Sequence, residues 1–128
     1  MALPFIRWNP CPRIDLERES RLANKLAGRS LPRASLVVLS GESEGQRLPL
    51  RIWNTLGRLW DTHLVTNDCL VNRRICDIEY DGDGYYIEDF GIHERTRVNE
   101  RRIEERVLLR ARDVIRVGRI RLCFVEEQ

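Results

Sequence analysis

The sequence predicts an all-β domain, a two-sheet sandwich preceded by a short helical or disordered extension. Three observations predict it. From Ser35 onward, β-branched and apolar residues form short runs, several of which alternate with polar ones. Gly, Asp and Pro punctuate these runs at short intervals, and a helical period is nearly absent outside the first 33 residues. The length, 128 residues, suits one core and is too short for two ordinary domains.

Residues 1–33 read as a basic extension. They carry Arg7, Arg13, Arg18, Arg21, Lys25, Arg29 and Arg33 against Asp15, Glu17 and Glu19, a net +4, while the remainder carries −2. That asymmetry suits either an anionic partner or a solvated tail. Met1–Pro12 has no period and is expected to be extended or disordered. Asp15 is placed to cap a helix, and Glu17 falls in the first turn, where exposed amides favour acids. Leu16, Leu22, Ala23, Leu26 and Ala27 lie mostly on one stripe, and Gly28 with Pro32 ends the run. Such a short amphipathic helix is marginal alone, so it docks on the body, docks on a partner, or does not fold. A homo-oligomer joined through this extension is one form of the partner reading. The apolar face is too small to favour a membrane surface.

Residues 34–128 read as the sandwich. Ser35–Leu39 is the first strand and Gly41–Gly45 the turn after it. Gln46–Arg51 and Arg51–Leu56 follow, with Trp53 expected in the core. Asp61–Asp68 is a polar stretch interrupted by Leu64 and Val65. Ile75–Tyr80 and Tyr85–Phe90 flank Asp81-Gly82-Asp83-Gly84, a hairpin turn because Asp-Gly steps accept positive φ. That turn lacks the remaining ligands of a calcium loop. Thr96–Asn99, Val107–Arg110, Asp113–Val117 and Gly118–Val125 complete the strands.

An ordered set of motifs then appears. Thr55-Leu56-Gly57-Arg58 is followed by Asn67-Asp68-Cys69-Leu70-Val71-Asn72-Arg73-Arg74-Ile75 and by the hairpin at Gly82. Next come Glu88-Asp89-Phe90-Gly91-Ile92-His93-Glu94-Arg95-Thr96-Arg97-Val98-Asn99-Glu100 and Leu109-Arg110-Ala111-Arg112-Asp113-Val114-Ile115-Arg116-Val117-Gly118. In order and spacing this set resembles the forkhead-associated (FHA) domain family over about residues 35–125. The resemblance implies a two-sheet sandwich that binds phosphothreonine peptides with loops at one end. Arg58 matches the phosphate-binding arginine, Asn72 stands at the phosphate-binding serine, and Arg73 matches the basic residue after it. Gly57 precedes the arginine and, with Thr96 and Asn99, matches residues that brace the loops.

The departures from the family pattern carry equal information. Asn72 still donates through its amide, but Ile75 replaces a loop-bracing histidine and forms no side-chain hydrogen bond. Glu94 and Arg95 stand where an Asn-Gly step grips the peptide backbone. An ionised Glu94 only accepts, and it repels phosphate unless Arg95 or Arg97 neutralises it. The sequence therefore predicts a non-catalytic protein-interaction module, phosphate-independent or altered in phosphopeptide recognition. Ordinary phosphothreonine binding in kinase signalling is the alternative. Without a ligand, Arg58 would pair with Asp61 or Glu94. Recognition of the chain's own tail is disfavoured, because Ser20 and Ser30 precede Thr55 but no threonine does.

Other classes fit less well. His63 and His93 are the only histidines, and no nucleophile elbow, paired-carboxylate motif or glycine-rich phosphate loop accompanies them. No enzyme activity or cofactor is expected. Cys11, Cys69, Cys76 and Cys123 form no closely spaced metal-ligating pair; they read as buried thiols, with a disulfide as the alternative. Nucleic-acid binding through the 21 arginines is weakened by 20 interleaved acids. No run approaches the roughly 20 apolar residues of a membrane span, and no secretory signal is evident, so a cytoplasmic location is expected.

Overall fold

The computed structural model describes residues 3–9, 16–57, 62–67, 74–90 and 96–127. These form the expected two-sheet sandwich. Sheet A runs in the order β1 (Ile6–Trp8), β5 (Leu64–Thr66), β4 (Trp53–Gly57), β6 (Arg74–Tyr80), β7 (Tyr85–Asp89) and β10 (Val107–Leu108). Sheet B runs β3 (Arg47–Pro49), β2 (Ala34–Val38), β12 (Ile120–Glu126), β11 (Val114–Val117), β8 (Arg97–Val98) and β9 (Arg101–Arg102).

Strand alternation makes the core between the sheets. On β12, Ile120, Leu122 and Phe124 are buried while Arg121 faces out. Leu36 and Val38 of β2, Ile115 and Val117 of β11, and Leu56, Ile78 and Ile87 of sheet A close the same cluster. The β6–β7 hairpin turns at Asp81, whose Oδ1 accepts the amides of Asp83 (2.9 Å) and Gly84 (3.3 Å), with Gly82 at φ 109°.

Three strands were not expected from the sequence. β5 lies inside the polar 61–68 stretch, where three residues are too few to show a period, and it pairs parallel with β4. β1 is equally short; it pairs with β5 and buries Ile6 completely. β9 is two exposed arginines and carries no apolar signal at all.

The helix α1 (Leu16–Lys25) lies on the outer face of sheet A. Leu22 is buried there with Ile52 and Trp53. The Arg18 guanidinium sits 4.4 Å from the Trp53 ring and pairs with Glu79 at 2.9 Å and Asp77 at 3.5 Å. After the helix, Ala27 (φ 50°) and Gly28 (φ 82°) turn the chain back. No helix among the described residues is long and apolar enough to cross a membrane.

Candidate functional site

The register of sheet A gathers its loops at one end. Gly57 pairs with Arg74 across a register shift at Leu56/Gly57, and Cys76 pairs with Asp89. The Phe90 amide then donates to the Ile75 carbonyl at 2.7 Å. The end of β4, the start of β6 and the end of β7 therefore share one rim. Because β5 runs parallel to β4, its exit at Asn67 points to the same rim.

The described residues at this end are held by specific bonds. Thr96 is fully buried, and its hydroxyl donates to Asp89 Oδ1 at 3.2 Å, tying the end of β7 to the start of β8. At the opposite end of the sandwich, toward the Asp81–Gly84 hairpin, Asn99 adopts φ 52°; its Oδ1 accepts the Val114 amide and its Nδ2 donates to Asp113 Oδ1, both at 2.9 Å. Asn67 Oδ1 accepts the Phe5 amide at 2.8 Å and its Nδ2 donates to the Leu3 carbonyl at 3.2 Å, so the β5 exit is laced to the N-terminal segment. Ile75 is buried in the core. It contributes packing where a loop-bracing histidine would contribute a hydrogen bond.

Of the residues singled out in the sequence, Gly57 closes β4 and is buried, Thr96 is a buried tie and Asn99 is the turn brace. Arg58, Asn72, Arg73, Glu94 and Arg95 lie outside the described residues, as do Asp61 and His93. The structure adds a pair that sequence reading passed over. Arg74 is exposed and its guanidinium lies 5.9 Å from the ring of Phe90, itself 43% exposed. Sixteen positions separate them in the chain, and only the β6–β7 register makes them neighbours.

Buried titratable groups lie behind the rim and across sheet A. His63 bridges the β4-to-β5 crossover: its Nδ1 accepts the Thr55 amide at 3.0 Å, and its own amide donates to Thr55 Oγ1 at 2.9 Å. With Nδ1 accepting, the proton resides on Nε2, which is buried without a hydrogen-bond partner. The ring meets Trp53 and Trp8 edge-on, at 5.2 and 6.5 Å. Burial first, and then the Arg51 cation, lower its pKa from 6.5 to about 4. Burial pushes the Cys76 thiol well up, against a reactive role. It also raises the Asp77 carboxyl, opposed by the Trp53 indole N–H, which donates to Asp77 Oδ2 at 3.0 Å, and by Arg18. Among the described residues, no group of three or more His, Cys, Asp or Glu could hold a metal ion.

Comparison with known proteins agrees with this geometry. Residues 37–128 match the Yop-YscD cytoplasmic domain family, described as the inner membrane component of T3SS, cytoplasmic domain. A curated relative from Corynebacterium jeikeium, named oxoglutarate dehydrogenase inhibitor, is 35% identical over 93 residues, which cover 72% of this chain and 64% of the relative. The match thus spans less than two thirds of that protein. Among solved structures, one from work on phosphothreonine-dependent FHA domain interactions superimposes with a TM-score of 0.66 and 26% identity, covering 75% of this chain and 98% of that one. An FHA domain from Chlamydia trachomatis gives 0.67 and 25%, covering 75% and 99%.

Proposed function

The chain belongs to the Yop-YscD cytoplasmic domain family and has its FHA-type fold, and from that premise we propose that it binds a protein partner with the loop end of sheet A, reading phosphate differently from ordinary FHA domains or not at all. It is a non-catalytic, FHA-type protein-interaction module. What is proposed is the mode of recognition. One observation carries it: the register that sets Gly57, Arg74 and Phe90 on a single rim, with Arg74 and Phe90 exposed and the Arg74 guanidinium 5.9 Å from the Phe90 ring. In the sequence, Arg58 follows Gly57, Asn72 and Arg73 precede Arg74, and Glu94 and Arg95 lie between Phe90 and Thr96. A cation against an exposed ring offers one apolar and one charged contact to a peptide, with or without a phosphate.

Two substitutions support altered reading. Ile75 is a core residue and supplies no polar brace. Glu94 replaces a donor by an acceptor, which disfavours a dianion. From the relative named as an enzyme inhibitor we extend only the mode of action, a folded module that works by binding a protein.

The test is titration of degenerate phosphothreonine and unphosphorylated peptide pools against wild-type, Arg58→Ala and Arg74→Ala protein. Binding weakened by Arg74→Ala and indifferent to phosphate supports phosphate-independent use of the rim. Binding that needs both the phosphate and Arg58 restores the ordinary phosphothreonine reading. No binding to either pool removes the loop end as the recognition surface.

A further inference from the structure

The two outer faces of the sandwich differ in chemistry. The face of sheet A presents Asp77, Glu79 and Glu88, and α1 lies over it with Arg18 on the first two. Among the described residues no helix lies on the outer face of sheet B. There Arg97 pairs with Arg102, Arg116 pairs with Arg97, and Arg116 pairs with Arg121. Four arginines thus stand in one row across four adjacent strands, neighbours being about 5 Å apart, the spacing of strands in a sheet. Their positions, 97, 102, 116 and 121, show no pattern in sequence.

No strand position on this face holds a carboxylate. Among the described residues the row's acidic partner is Glu100 in the β8–β9 turn, whose carboxylate takes Arg116 at 3.2 Å and whose carbonyl accepts from Arg97 at 3.0 Å. Like charges directly opposed across strands repel. The row therefore works against the sheet that displays it, which suits a surface kept for binding. In the next row on the same face Val114 pairs with Cys123, and Cys123 with Val37, all three half-buried, and the row ends on Arg47, which pairs with Glu127 at 2.7 Å.

We propose that the outer face of sheet B docks an acidic, amphipathic protein segment, its carboxylates along the arginine row and its aliphatic side chains on Val37, Val114 and Cys123. Charge complementarity selects an anionic partner, and arginine forks match carboxylates. Val37, Val114 and Cys123 favour protein over nucleic acid, because the strands of this face present no aromatic side chain on which a base would stack. Side chains at three- or four-residue spacing on a helix lie about 5–6 Å apart, close to the spacing of the row. The proposal rests on the chain being a protein-interaction module, and not on whether its loop end reads phosphate.

The experiment uses the full chain and a fluorescein-labelled peptide with glutamates at four-residue spacing flanked by leucines. An Arg97→Gln/Arg121→Gln double variant should bind the peptide at least about tenfold more weakly, as loss of two charge-assisted contacts predicts. Added salt should weaken the wild-type complex. Arg29→Gln/Arg33→Gln, an equal charge change elsewhere, should leave affinity unchanged, and thermal melting should show both variants folded. Arg58→Ala should bind like wild type; loss there would put the peptide at the loop end and overturn this surface. Equal binding by the double variant, or no binding by wild type, overturns it too. So does equal or tighter binding of oligothymidylate, phosphatidylserine vesicles or a glutamate–serine peptide.

Discussion

Acid should loosen the crossover between β4 and β5 through His63. The imidazole is fully buried, accepts the Thr55 amide through Nδ1, and has no partner on Nε2. A second proton would sit on Nδ1, oppose that amide and place a buried cation near Arg51. An unfolded chain takes up this proton near 6.5, whereas the folded chain resists until about 4. Between these values the unfolded state binds more protons, so stability falls as pH falls. At about 1.4 kcal/mol per pKa unit, going from pH 7.5 to pH 4 removes about 3 kcal/mol. That is a large part of the roughly 5–15 kcal/mol that holds a domain of this size. The assay is urea unfolding of wild type and His63→Asn at both pH values. The asparagine Oδ1 is suited to accept the Thr55 amide but cannot protonate, and loss of the ring between Trp8 and Trp53 costs about 1–3 kcal/mol at either pH. Asp77 acts in the opposite sense, since burial raises its pKa and it gains stability as pH falls; it is present in both proteins and cancels in the difference. The variant should therefore lose about 3 kcal/mol less than wild type on acidification. Equal losses would refute the assignment.

Three further outcomes are expected. Gly41→Ala places a Cβ against the Pro4 carbonyl, which also accepts the Glu42 amide, at a backbone φ of 86°; it should cost at least about 2 kcal/mol in urea unfolding and speed proteolysis near Pro4. Asn99→Ala loses the bonds to Val114 and Asp113 at φ 52° and should cost about 2 kcal/mol, whereas Asn99→Gly, free of the φ penalty, should cost about half that. Leu22→Asp should release α1 from Trp53, read as loss of near-ultraviolet dichroism and faster amide exchange over residues 16–25, with the β-strand amides unaffected.

Much of the sandwich was legible because its longer strands satisfy a local rule. β2, β6, β7, β11 and β12 bury alternate or continuous apolar residues over four or more positions, and the Asp81–Gly84 turn announces its hairpin by composition. Gly57, Thr96 and Asn99 were found through motif order, and Trp53 and Leu22 through their patterns. β1, β5 and β9 were not, because two or three residues carry no period, and their pairing depends on strands distant in the chain.

The sequence by itself determined the fold class, the amphipathic helix and the motif residues, since each follows from side chains within a few positions of one another. Only tertiary structure decided where the helix docks, that His63 sits between two indoles, that Arg74 meets Phe90, and that four arginines stand in one row. The physical reason is register. Hydrogen bonds between strands choose which distant residues face each other, and that choice is set by how the whole core packs, which no single segment encodes.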